Sequence, residues 1–197
     1  MDEAAIARAI GERSIVLVGM MGCGKSSVGR KLAQRLGRPF IDTDSAVEEA
    51  AQRSIAEIFA TYGEDAFRSG ERRVVKRVLE TPAQVVALGG GAWVDNETRE
   101  ATARAGAISI WIDVEPPKLM ERLGRRTHRP LLAGVDLATR IEELLRVRRS
   151  VYALADIRIG GGQELAATVQ SVLEALALWR PPAEQSAPAK EAEERSH

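Results

Sequence analysis

Gly19-Met20-Met21-Gly22-Cys23-Gly24-Lys25-Ser26 has the form Gly-x-x-x-x-Gly-Lys-Ser, and each fixed residue type has a task in holding nucleotide phosphates. Glycines let the backbone take positive φ and come close to phosphate oxygens. Exposed amides and the N-terminus of a following helix favour a bound anion. Lys25 supplies a mobile cation to the β- and γ-phosphates, and the Ser26 hydroxyl is a ligand type for Mg2+. The segment therefore implies ATP and magnesium. A dinucleotide loop is the weaker reading, because Gly19, Gly22 and Gly24 do not make Gly-x-Gly-x-x-Gly and Lys25-Ser26 would have no role in it. Cys23 has two readings: a thiol acidified by the helix N-terminus, or simply a small residue between two glycines.

Other residues could serve an acceptor beside those phosphates. Asp42 and Asp44, two apart at a strand end, project to one side. One carboxylate can support magnesium through water and the other can reach a hydroxyl; the competing role is that Asp44 or Thr43 caps the next helix. Arg68 and Glu71 share a helix face, either as a surface ion pair or as an arginine oriented to hold a carboxylate ligand. Gly89-Gly90-Gly91 follows an apolar run, and three glycines there suggest a ligand lying against bare backbone. Arg122, Arg125, Arg126 and Arg129 flank Gly124 and Gly134, which suits either a solvated basic loop or a lid that closes an arginine on phosphate. His128 has no histidine or cysteine partner for a metal and receives no role. Arg146, Arg148 and Arg149 precede Tyr152 near a helix end, where cations are favoured in any case.

These residues need elements to place them. Short apolar runs at Ser14–Val18, Pro39–Ile41, Gln84–Leu88, Ala107–Ile112 and Asp156–Ile159 read as buried strands. Asp113 ends the fourth run as a further acidic strand end. Helical periods separate the runs: Val28, Leu32 and Leu36; Val74, Val75, Val78 and Leu79; Leu137, Ile141, Leu144, Leu145 and Tyr152; and Leu165, Val169, Val172, Leu173 and Leu176. Alternation of strand and helix implies a parallel sheet covered on both faces, a three-layer α/β/α arrangement. Right-handed crossovers bring all strand C-termini to one edge, where ligands bind.

The 197 residues suit one such domain, with 45% hydrophobic and 28% charged residues. Lys plus Arg and Asp plus Glu number 28 each, so no basic surplus marks a nucleic-acid binder. Cys23 is the one cysteine, which excludes an intramolecular disulfide and fits a reducing compartment. No apolar run approaches membrane-spanning length, and no signal peptide is visible at the N-terminus, so a cytoplasmic, membrane-free protein is expected. Residues 1–12 read as a flexible lead-in, 13–179 as the P-loop domain, and 180–197 as a disordered Pro/Ala-rich charged tail.

Taken together, these motifs resemble shikimate kinase from about Ser14 to about Ile159: G-x-x-G-x-G-K-S, D-x-D after the second strand, F-R-x-x-E, G-G-G after the third, R-P-L-L in a lid, and R-x-x-x-Y before the last strand. The resemblance implies a P-loop NTPase fold with a five-stranded parallel sheet of order 2-3-1-4-5, a lid near 118–134 and a small substrate-binding subdomain near 43–72. It implies transfer of the ATP γ-phosphate to the 3-hydroxyl of shikimate, in aromatic amino acid biosynthesis, by a monomer. It implies that Gly22, Cys23, Gly24, Lys25, Ser26 and Ser27 bind ATP, with Arg122 flanking adenine and Arg129 closing on the phosphates. Ser26 would ligate magnesium, with Asp42 in the outer shell. Asp44, Arg68, Gly89, Gly90, Gly91 and Arg148 would bind shikimate, and Lys25, Asp44 and Arg129 would be catalytic. Ser150 stands where the family often has proline, and Gly160-Gly161-Gly162-Gln163 is short for the usual adenine loop, so the resemblance assigns no adenine contact there. A gluconate or nucleoside monophosphate kinase is the nearest rival, and a P-loop switch or nucleic-acid ATPase is a more distant one.

Overall fold

The computed structural model describes residues 2–124 and 137–181. Its centre is a five-stranded, all-parallel sheet in the order β2-β3-β1-β4-β5. The strands are β1 (Ile15–Val18), β2 (Phe40–Asp42), β3 (Val85–Ala87), β4 (Ile108–Asp113) and β5 (Ile157–Gly160), within a residue or two of the apolar runs. The middle strands β1, β3 and β4 are buried along their length, as expected when helices cover both faces. The edge strands β2 and β5 are partly exposed.

The helices are α1 (Glu3–Ile10), α2 (Lys25–Leu36), α3 (Thr43–Ala51), α4 (Ile55–Leu79), α5 (Asn96–Arg104), α6 (Pro116–Gly124), α7 (Leu137–Tyr152) and α8 (Leu165–Leu178), with a 3-10 turn at Ala92–Val94. Val28, Leu32 and Leu36 of α2 bury their shared face in the core, as do Val169, Val172, Leu173 and Leu176 of α8. Leu165 departs from the periodic reading. It opens α8 and is 44% exposed. Among the described residues no helix is long and apolar enough to cross a membrane.

Residues 1–12 were expected to be a flexible lead-in. Instead Asp2 caps α1, and Ile6 and Ile10, four residues apart, drop into the core against α2 and α8. Arg35 of α2 donates to Glu3 at 2.6 Å and ties the helix down.

The region near 43–72 carries its own apolar cluster. Val47 of α3 packs with Ile58, Phe67 and Val74 of α4, apart from the main core. Ser54 and Glu57 form a capping box at the start of α4. Gly63 breaks that helix with φ 81° and ψ 177°. The second half carries Arg68 and Glu71 and packs against α3 and α5. Residues 182–197 of the expected tail lie outside the described residues, as do 125–134 of the expected lid.

Because Ile10 is fully buried, Ile10→Ala is expected to cost about 2–5 kcal/mol, measured by urea unfolding. A cost below about 0.5 kcal/mol, the range of ordinary surface changes, would show that α1 is not part of the cooperative unit.

Candidate active site

The loop after β1 opens directly into α2. Gly24 is its N-cap with φ 102°, a conformation that costs a residue with a Cβ atom but not glycine. Gly22, at φ 80°, is crowded as well, since a Cβ there would lie 2.9 Å from Leu123 of α6. The Lys25 ammonium is folded back over the loop and donates to the carbonyls of Gly19 at 2.8 Å and Met20 at 3.1 Å. Cys23 is buried, and its sulfur sits 3.9 Å from the lysine Nζ. This favours the small-residue reading, because reactive thiols are partly exposed. Arg122 of α6 donates to the carbonyl of Cys23 at 3.2 Å, so in this structure its guanidinium meets the phosphate loop itself.

Ser26 donates to an Asp42 carboxylate oxygen at 2.5 Å. The other Asp42 oxygen accepts from the Asp44 amide at 3.1 Å, so the cap of α3 is Asp42, not Asp44 or Thr43. One residue at the end of β2 thereby joins the α2 hydroxyl to the start of α3. The helix then aims Asp44 toward the glycine run, while Thr43, fully buried, accepts from the Gly89 amide at 2.9 Å. These oxygens suit Mg2+, which favours one or two protein oxygens together with phosphate and water. No group of three or more histidine, cysteine, aspartate or glutamate residues that could hold a metal occurs among the described residues.

The three glycines after β3 are explained by space rather than by φ. A Cβ on Gly89 would lie 2.5 Å from an Asp44 carboxylate oxygen and 2.6 Å from a Glu71 oxygen. On Gly90 it would lie 3.1 Å from the Met21 amide nitrogen, and on Gly91 2.8 Å from the Arg68 guanidinium. The run was expected to make room for a ligand. It also makes room for the residues of the site.

Arg68 and Glu71 form the close pair their spacing suggests, at 2.8 Å, and Arg68 also reaches Glu64 at 3.2 Å. Burial lowers the Arg68 pKa, but the two glutamates outweigh it and raise the value. At Glu71 burial dominates and raises the carboxyl above its usual range, with Arg68 opposing and the charge of Asp44 adding. Its second oxygen is buried without a hydrogen-bond partner among the described residues.

From the opposite side, Arg148 and Tyr152, four apart on α7, both donate to the Gly90 carbonyl, at 3.3 and 2.5 Å. Burial pushes the Tyr152 hydroxyl up to about 12, so it stays a donor at neutral pH. Arg149 points elsewhere, to Asp113 at 2.9 Å. The arginine beside the glycine run is thus Arg148.

A cleft of about 700 Å3 runs from Asp44 and Gly90 past Lys25 and Arg122 to Gln163, Leu165 and Thr168. That is within the usual size of ligand sites. The structure brings Gly22, Cys23, Gly24, Lys25, Ser26, Ser27, Asp42, Asp44, Gly90 and Arg122 to its walls, and Arg68, Gly89, Gly91 and Arg148 beside it. Arg129 lies outside the described residues. Gln163, Leu165 and Thr168 were not anticipated as lining. Leu165 was hidden by its apolar period, and only its place at the first turn of α8 distinguishes it.

Residues 21–177 match the model of the family described as shikimate kinase. The chain is 47% identical over 152 residues to a shikimate kinase of Zymomonas mobilis, covering 77% of this chain and 86% of that one. It is 50% identical over 150 residues to a shikimate kinase of Caulobacter vibrioides, covering 76% and 74%. Among solved structures, shikimate kinase from Acinetobacter baumannii in complex with shikimate is 32% identical with a TM-score of 0.82, covering 88% of this chain and 97% of that one.

The raised carboxyl of Glu71 sets a pH dependence. Stability from such a group is full below the unfolded value, about 4.3, and is lost as pH rises through the higher folded value. Glu71→Gln cannot ionise. Its stability relative to wild type is therefore expected to rise between about pH 4 and pH 7, by urea unfolding at both values. A relative stability that falls over this interval would contradict burial as the dominant influence.

Proposed function

The chain belongs to the shikimate kinase family, and on that premise we propose how its own residues carry ATP-dependent phosphorylation of the shikimate 3-hydroxyl, giving shikimate 3-phosphate and ADP. The observation that carries the reading is the convergence of Asp44, Arg68 and Arg148 on Gly89–Gly91, immediately beside the phosphate loop. A carboxylate bearing several hydroxyls needs cationic forks at one end and an acceptor at the other. The site offers both, a Met21 amide's reach from the phosphates.

Arg68 and Arg148 approach the glycine run from α4 and α7, and together they hold the shikimate carboxylate. Glu71 keeps the Arg68 fork oriented. Asp44 accepts a hydrogen bond from the attacking hydroxyl and takes its proton as the oxygen bonds to the γ-phosphorus. The bond from that phosphorus to the bridging oxygen breaks, and ADP leaves. Loop amides from Gly22 to Ser27 cradle the phosphates, and Lys25 exchanges its carbonyl partners for phosphate oxygens. Arg122 adds positive charge from α6. Ser26 would hold Mg2+ with Asp42 behind it through water, and the ion would supply charge neutralisation on the phosphates. The chemistry then requires mainly positioning and positive charge. The reading extends to a closing role for Arg129 and to a protein that acts as a monomer in the cytoplasm, with neither nucleic acid nor membrane as a partner.

A coupled ADP-release assay tests this. ADP release is expected to depend on shikimate and to be stimulated by neither gluconate nor DNA or RNA. Phosphorylation of gluconate but not shikimate would overturn the assignment. Lys25→Ala is expected to lower kcat by at least about 100-fold, as loss of transition-state charge stabilisation does. Arg68→Ala is expected to raise the shikimate KM by about 10–100-fold, the equivalent of one charge-assisted hydrogen-bonded pair. An unchanged KM and kcat in Arg68→Ala would remove the carboxylate-clamp role.

A further inference from the structure

Asp113 is an acidic residue at a strand end, the kind of position that often serves a metal in nucleotide-binding folds. Its carboxylate is engaged by arginines. Asp113 ends β4, is buried, and one carboxylate oxygen accepts from Arg149 of α7 at 2.9 Å and from Arg158 of β5 at 3.0 Å through its Nε. Both guanidiniums lie over the Trp111 ring, at 5.9 and 4.8 Å from its centroid. Trp111 in turn sits 6.0 Å from the Tyr152 ring. The Asp113 carbonyl accepts from the Gly161 amide at 2.6 Å, which fixes the strand end itself. The result is one packed unit joining two strands of the sheet to the last turns of α7.

The next residue on that helix is the one that matters for the substrate. Consecutive helical residues are about 100° apart, so anchoring Arg149 on one side dictates where Arg148 points. Arg148 then shares its face with Tyr152, and both meet the Gly90 carbonyl. The Trp93 indole, donating to the Val151 carbonyl at 3.1 Å, closes the same turn from the third side. We propose that Asp113 is a positioning residue: by clamping Arg149 and Arg158 against Trp111, it sets the rotation of α7 that presents Arg148 to the substrate carboxylate. Asp113 is not among the residues that line the cleft. It acts through Arg148, and the proposal rests on the reading of Arg148 as a carboxylate ligand.

The test compares shikimate with methyl shikimate, whose ester carries no charge for Arg148 to recognise, in wild type, Asp113→Asn, Asp113→Ala, Arg149→Ala and Arg148→Ala. Circular dichroism first checks that each variant is folded. Asp113→Ala is expected to raise the shikimate KM about tenfold, with kcat within about threefold and the ATP KM within about twofold of wild type. Asp113→Asn is expected to show a smaller change in the same direction. The preference for shikimate over its methyl ester is expected to shrink in parallel, which general destabilisation would not produce. Asp113→Ala and Arg149→Ala are expected to be non-additive, because they remove two ends of one contact. If Arg148→Ala loses the ester discrimination and Asp113→Ala keeps it, the carboxylate reading stands and the positioning role is refuted. If Arg148→Ala also keeps it, the reading of Arg148 fails, and the role of Asp113 falls with it.

Discussion

The distance from the Gly89–Gly91 backbone to what surrounds it is the constraint on which the site depends. Side chains from α3 and α4, the phosphate-loop backbone, and α7 all reach this one strand end. Cβ atoms there would lie 2.5 to 3.1 Å from Asp44, Glu71, Arg68 or the Met21 amide. None of the three glycines has positive φ, so what they contribute is the missing side chain. The entropy cost of three consecutive glycines is offset by the close approach of two carboxylates and two guanidiniums in a volume that the phosphate loop also borders.

Such closeness makes the electrostatics interdependent. Glu71 is buried with one oxygen lacking a partner, a costly state that Arg68 relieves only in part. Arg68 remains 20% exposed and held by two glutamates, so its fork is oriented but still accessible. On the other wall, Arg148 pairs with no carboxylate among the described residues and donates to the Gly90 carbonyl. One arginine is fixed by charge, the other by the geometry of its helix.

The two walls differ in how they are anchored. α3 and α4 pack around a cluster apart from the main core, and Gly63 interrupts the longer helix. α7 is tied to the sheet through Asp113, Trp111 and Trp93. Local stability follows buried apolar contact, so α3 and α4, with their small separate cluster, are the less firmly anchored wall.

Much was legible in the sequence because short-range physics determines it. The phosphate loop announces itself through glycine, lysine and serine at fixed spacing, and β1 to β5 through apolar runs that only a doubly covered sheet can bury. The Arg68–Glu71 pair follows from helical spacing alone. Residues far apart in the chain were decided by tertiary packing. The docking of α1 depended on where α2 and α8 leave a groove, although its signal, Asp2 with Ile6 and Ile10, was present. The cap of α3 was read as Asp44 or Thr43, and the fold gives it to Asp42, whose other oxygen meets Ser26. Which of Arg148 and Arg149 meets the Gly90 carbonyl was likewise legible only in the fold, where Arg149, about 100° around α7, is held by Asp113, 36 residues away. Spacing places residues on a face. Which face meets the ligand is set by partners that only the folded chain brings within hydrogen-bond distance.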